Sequence, residues 1–147
     1  MFVDSSAFLA ILGNRSDAAL LVERIKNSRK PCTTSASVRL DVVMALAQSR
    51  ADTRGVSAEA VEQATEIFDN LLQILKVYEI AISPRIAADG CRLAARFGQQ
   101  ADHPAKLTGQ SCLALAAAES LRLPVLHSNP AIDRITEQDW AAWRSGD

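Results

Sequence analysis

The chain has 147 residues, of which 48% are hydrophobic and 22% charged, a balance that suits a packed core and excludes a disordered tail. A formal net charge of -1 and a pI near 6.1 exclude capture of nucleic acid by the whole surface. Any RNA contact must therefore come from a local basic patch or a metal ion. At this length roughly two-thirds of the unfolded chain's surface is buried on folding, so one domain over residues 1–147 is expected. Cys32, Cys91 and Cys112 are odd in number and lack ligand-like spacing, which reads as free thiols in a reducing compartment. No basic segment precedes the first apolar run, and no run approaches the roughly 20 residues that span a bilayer. A soluble cytoplasmic protein without a membrane segment is expected.

In chain order, Met1-Phe2-Val3 is a short apolar strand ending at Asp4, and Ser5 and Ser6 can cap a helix stopped by Gly13. Ser16 and Asp17 open a second helix with Ala18, Leu21, Val22 and Ile25 on one face, ended by Pro31. Cys32-Thr33-Thr34 reads as a strand, and Ser35 starts a third helix with Val38, Val42, Ala45 and Leu46 on its apolar side. A polar link from Ser49 to Gly55 leads to Ser57, the cap of a long helix carrying Val61, Ala64, Ile67, Phe68, Leu71, Leu72 and Leu75. Val77 to Ile82 reads as a buried strand, and Pro84 suits the first turn of a helix that ends near Phe97-Gly98. Residues 99–106 form a loop, Thr108 caps an alanine-rich helix running to about Leu121, and Pro124 to Leu126 is a last strand. Beyond it lie a turn at Pro130 and a short tail with Trp140 and Trp143.

Short apolar strands alternating with helices predict an α/β fold: a three-layer α/β/α sandwich around a mainly parallel sheet of four or five strands. In such sheets ligands bind beyond the carboxyl ends of the strands. Asp4 stands at such an end, beside a helix start whose dipole favours negative charge. The position alone fits a site acid and a simple helix cap equally. Asp41 shares a helix face with Val38 and Ala45. A lone buried carboxylate is costly, so Asp41 calls for a metal ion or a cation; a surface arginine at the helix edge would serve as well.

These pieces, in this order, resemble the PIN-domain family. MFVDSSAFLAIL resembles its first motif, and Asp41-Val-Val-Met-Ala-Leu resembles its second, where the family usually has Glu. HPAKLTGQSCLALAAAESLRLPVL resembles the third region of VapC-type toxins, and the likeness spans about residues 1–135. The resemblance implies a metal-dependent endoribonuclease, the toxin of a toxin–antitoxin pair, whose clustered carboxylates hold Mg²⁺ or Mn²⁺ for attack on a phosphodiester. It also implies a small antitoxin partner, an RNA substrate and a homodimer.

Carried over residue by residue, the implied site comprises Asp4, Asp41, Ser111 and Asn129, with Asp4 and Asp41 as metal ligands. The family's third aspartate is replaced by Ser111, and the fourth position, Asp or Asn, is matched by Asn129. With two anionic ligands the metal is expected to be weakly held or absent, and the activity attenuated. The alternative is a catalytically silent PIN-like module that binds a protein partner or RNA. Ser5 and Ser6 beside Asp4, with Arg92, Arg96 and Lys106, are candidate substrate contacts; a solvated helix face is the plainer reading of the three cations. His103 reads as structural, His127 as a substrate contact or a satisfied core histidine, and Asp133 as a surface acid. Trp140 and Trp143 suit packing better than base stacking. A phosphoacceptor receiver domain shares the α/β plan but needs an aspartate after its third strand, where this chain has Ile82-Ser83-Pro84.

Overall fold

The structure is a computed structural model that describes residues 1–51, 53 and 55–146. Its elements are β1 (Phe2–Val3), α1 (Ser5–Leu12), α2 (Ala18–Lys26), β2 (Cys32–Ser35), α3 (Ala36–Gln48) and α4 (Ala58–Leu75), followed by β3 (Val77–Ile80), α5 (Pro84–Phe97), α6 (Gly109–Ser120), β4 (Val125–Leu126) and α7 (Glu137–Ser145). A 3-10 turn at Ile132–Arg134 precedes α7. The four strands form one parallel sheet in the order β3-β2-β1-β4, flanked by helices. β1 is interior, with Phe2 opposite both Thr33 and Val125. Asp4 therefore emerges from the middle of the sheet's carboxyl end.

Local chemistry sets most boundaries. The hydroxyls of Ser35, Ser57, Ser83 and Thr108 each accept the backbone N–H three residues on, which starts α3, α4, α5 and α6. Pro84 occupies the first turn of α5, where its missing N–H costs nothing. α4 turns its buried stripe of Ala60, Ala64, Phe68, Leu72 and Leu75 inward, and Phe8 meets Phe68 edge to face at 5.0 Å. Gly90 lets α5 lie close on α6: a Cβ there would sit 3.1 Å from Leu113 Cδ1 and 3.3 Å from its Cα.

Four expectations change. α1 is capped by Asp4 and not by Ser5 or Ser6, because the Asp4 carboxylate reaches the Ser6 N–H first. The buried face of α3 is Val38, Val42, Val43 and Ala47, with Ala45 and Leu46 half-buried, a rotation toward the sheet. The third strand is shorter than Val77 to Ile82 and lies at the sheet edge, so Tyr78 is 61% exposed. The tail is a formed helix, α7, opened by a Thr136–Asp139 capping box. The expected link from Ser49 to Gly55 includes residues 52 and 54, which lie outside the described residues.

Candidate active site

Asp4 is 1% exposed and has extended backbone, so its carbonyl accepts from Ala7 N at 3.1 Å and begins α1. Its own N–H donates to Leu126 O at 2.9 Å, fixing the corner to β4. The side chain is half satisfied. Oδ2 accepts from Ser6 N at 3.1 Å and from Ser6 Oγ at 2.6 Å. Oδ1 is buried and has no hydrogen-bond partner among the described residues. An unsatisfied buried carboxylate oxygen is uncommon and costs roughly 1–3 kcal/mol or more.

Ser6 Oγ gives its proton to Asp4 and accepts the Ser128 N–H at 3.0 Å. Ser128 Oγ in turn donates to Asp17 Oδ2. Asp17 precedes α2 but makes no side-chain cap, its carboxylate being turned to Ser128. That hydroxyl holds the Asp17 carboxyl below the usual carboxylate range, against a smaller opposing effect of burial. The chain Asp4–Ser6–Ser128–Asp17 thus locks the β1–α1 corner to the segment after β4. Ser5 is buried in the first turn of α1.

Asp41 is half-buried in the second turn of α3 and carries no hydrogen bond or ion pair among the described residues. The nearby arginine in sequence, Arg39, is taken by Glu79 and Asp69, at 2.5 and 2.6 Å. Helical side chains lean toward the amino end, so Asp41 leans toward the level of Ser37, four residues earlier. The Ser37 carbonyl accepts from Gln110 Nε2 at 3.4 Å, which brings the start of α6 beside this face of α3. Ser111 is there, 8% exposed. Its hydroxyl pairs with Thr108 Oγ1 at 3.0 Å, and its N–H donates to the same oxygen at 3.1 Å.

Asn129 is half-buried after β4, and its Oδ1 accepts from Ala131 N at 3.0 Å, closing a local turn. His127 Nδ1 accepts the Asn129 N–H at 3.3 Å, and Nε2 faces Asp133 at 3.6 Å. Asp133, 70% exposed, is thus turned to His127 and solvent. His103 is structural: Nδ1 accepts from Ala105 N at 3.1 Å and the ring packs against Phe97. Among the described residues no three His, Cys, Asp or Glu side chains gather as a metal cluster.

The candidate cations separate. Lys106 Nζ donates to Ala101 O at 2.6 Å in the loop before α6, and Arg96 lies 5.7 Å from the Phe97 ring. Arg92 instead pairs with Asp89 at 2.6 Å and lies 5.7 Å from the Trp143 ring. It lines a cleft shared with Pro124 and Val125 where β4 begins, the opposite end of the sheet from Asp4. Sequence reasoning missed Asp17 and Ser128, which are 111 residues apart and carry no motif.

The PIN-domain family matches residues 1–138. A VapC ribonuclease of Rhizobium meliloti (strain 1021) is 30% identical over 129 residues, covering 86% of this chain and 91% of that protein. The crystal structure of Mycobacterium tuberculosis VapC20, described as a sarcin-ricin loop cleaving toxin, aligns with a TM-score of 0.57 at 17% identity, over 83% of each chain. That likeness speaks to the fold, while the family match and the closer relative speak to descent. The chain belongs to the PIN-domain family, among its VapC-type members.

Proposed function

We propose that this protein is a VapC-type endoribonuclease, the toxin of a toxin–antitoxin pair, attenuated by Ser111. The observation that carries the reading is the unpaired, buried Asp4 Oδ1. A carboxylate oxygen held in place by Ser6 and left without a partner suits a divalent cation, Mg²⁺ or Mn²⁺. Asp4 and Asp41 would hold it, with Ser111 and Asn129 as neutral oxygens. When bound, such a cation supplies Lewis acidity for in-line displacement at a phosphodiester. The chain's own part is positioning: Ser6 and Ser128 fix the Asp4 rotamer, and Arg96 and Lys106 are the cations proposed to meet substrate phosphates.

Two carboxylates fit one weakly held cation and not a pair of them. Loss of an outer-shell partner alone lowers affinity or activity roughly 10–100-fold, and a missing charged ligand should matter at least as much. The relatives, a ribonuclease and a toxin by name, support an RNA substrate; a small antitoxin partner, a homodimer, a single domain over residues 1–147 and a cytoplasmic setting complete the proposal. No described helix is long and apolar enough to cross a membrane. One observation favours a second reading, a silent module that binds RNA or protein: the Ser111 hydroxyl is already satisfied by Thr108.

The test is RNA cleavage by purified protein with Mn²⁺ or Mg²⁺, beside Asp4→Ala. Metal-dependent cleavage that disappears in the variant is expected. Equal cleavage by both proteins overturns the proposal, and no cleavage by either favours the silent module.

A further inference from the structure

An open cleft of about 1220 Å³ lies at the far end of the sheet from Asp4. Arg85, Arg92, Arg122 and Arg144 line it together with Trp140 and Trp143. Two carboxylates offset them: Asp89 pairs with Arg92 at 2.6 Å, and Glu119 with Arg144 at 2.7 Å. Four guanidinium groups against two carboxylates leave two positive charges in excess among the described lining residues. Arg85 and Arg122 are the exposed pair without an ion partner among the described residues. This local excess stands on a chain whose net charge is -1.

Both indoles are half-buried, and Trp140 also packs on Phe97 at 6.0 Å between ring centroids. Arg92 lies 5.7 Å from the Trp143 ring, Arg144 lies 5.6 Å from the Trp140 ring, and the two rings meet edge to face at 6.0 Å. Trp140, Trp143 and Arg144 all lie past residue 138, where the PIN-domain match ends. The cleft is therefore built partly by α7 residues beyond the matched span and partly by residues within it, Arg85, Arg92 and Arg122 among them. Val125 borders it and also borders a smaller cleft of about 380 Å³ lined by Asp17, Arg24, His127, Ser128 and Asp133. The two clefts follow the free edge of β4 from the arginines to Ser128, whose N–H holds Ser6 and through it Asp4.

We infer that the arginine–tryptophan cleft binds single-stranded RNA as a second site, phosphates on Arg85 and Arg122 and bases stacked on the indole and guanidinium planes. The inference rests on the RNA-acting reading above. An acidic peptide would use the charge but not the flat aromatic surfaces, whereas each stacked base contributes roughly 1–3 kcal/mol.

Trp140 and Trp143 are the only tryptophans in the chain, so their fluorescence reports this cleft directly. The probe is a single-stranded oligonucleotide with 2′-O-methyl groups, which resists cleavage, titrated into the whole protein. Saturable, salt-sensitive quenching is expected. The Arg85→Ser/Arg122→Ser double variant should bind at least about tenfold more weakly, with the slope of log K against log salt reduced by about 1.4, two phosphates' worth for a single strand. Both arginines are exposed, and thermal unfolding checks that the variant is folded. Asp4→Asn should leave the quenching intact. Quenching by this probe, together with no cleavage of unmodified RNA in the presence of Mn²⁺ or Mg²⁺, would uphold this site while overturning the proposed activity. Absence of quenching, quenching indifferent to the two arginines, or displacement of the oligonucleotide by polyglutamate at equal concentration would overturn the inference.

Discussion

The β1–α1 corner and the start of α6 lie at the same end of the sheet, and they are finished differently. At the corner, Asp4 is buried with one carboxylate oxygen unpaired, although three hydrogen bonds in series reach from it to Asp17. At the start of α6, Ser111 is also buried, but its hydroxyl closes on Thr108. The first arrangement leaves a buried acceptor without a donor; the second leaves none. On the proposed reading, the Ser111 corner has closed on itself, while the Asp4 corner keeps a buried, half-satisfied carboxylate.

The largest expected effect breaks the strained corner. Asp4→Ala removes a helix cap, costing about 1 kcal/mol, whereas Asp4→Asn keeps the cap and removes the buried charge. Thermal unfolding without metal should therefore rank Asp4→Asn above Asp4→Ala, with the natural protein no more stable than Asp4→Asn. Adding Mn²⁺ should raise the melting temperature of the natural protein alone, since a ligand at 100 times its Kd stabilises by about 2.7 kcal/mol. A shift of the same size in Asp4→Asn would mean that the cation binds elsewhere. Next comes Ser6→Ala, which removes one of the two hydrogen bonds to Asp4 Oδ2, leaving that from the Ser6 N–H, and frees the Ser128 N–H. Calorimetry should show Mn²⁺ affinity reduced about tenfold, the effect of an outer-shell partner, and Ser6→Thr should recover most of it.

The smallest effect is a pH dependence. The Asp17 carboxyl is held below its ordinary range by Ser128, so its contribution to stability is present above the unfolded-state pKa. That contribution is lost as pH falls through the depressed folded-state value, below about pH 4. A slight loss of stability in this acid window, absent in Asp17→Asn, is expected from melting curves. Ser111 has no titrating counterpart, so Ser111→Ala should leave the acid limb unchanged.

What was legible in the sequence was local. Ser35, Ser57, Ser83 and Thr108 stand one residue before their helices, and the apolar run ending at Asp4 is short and contiguous. The exposure of Tyr78 was not legible, because the position of a strand within the sheet order is a property of the whole topology. The helix α7 had a readable signal, Thr136 three residues before Asp139, masked by its polar composition. For the candidate site, motif resemblance singled out Asp4 and Ser111, and the structure adds their hydrogen bonds. The Ser128–Asp17 link and the separation of Arg92 from Lys106 arise from tertiary packing and leave no pattern along the chain. Arg92, Arg96 and Lys106 are close in sequence, yet the helix α5 carries Arg92 toward the opposite end of the sheet.

The most direct test of the contrast is to restore the missing acid. RNA cleavage at a fixed Mn²⁺ concentration should be compared between the natural protein and Ser111→Asp. The account predicts measurable cleavage by the natural protein and an increase of about tenfold or more in the variant, since a charged ligand should weigh at least as much as an outer-shell partner. Unchanged or lower cleavage in a folded Ser111→Asp protein would contradict it, and would mean that Ser111 does not face the site that Asp4 anchors.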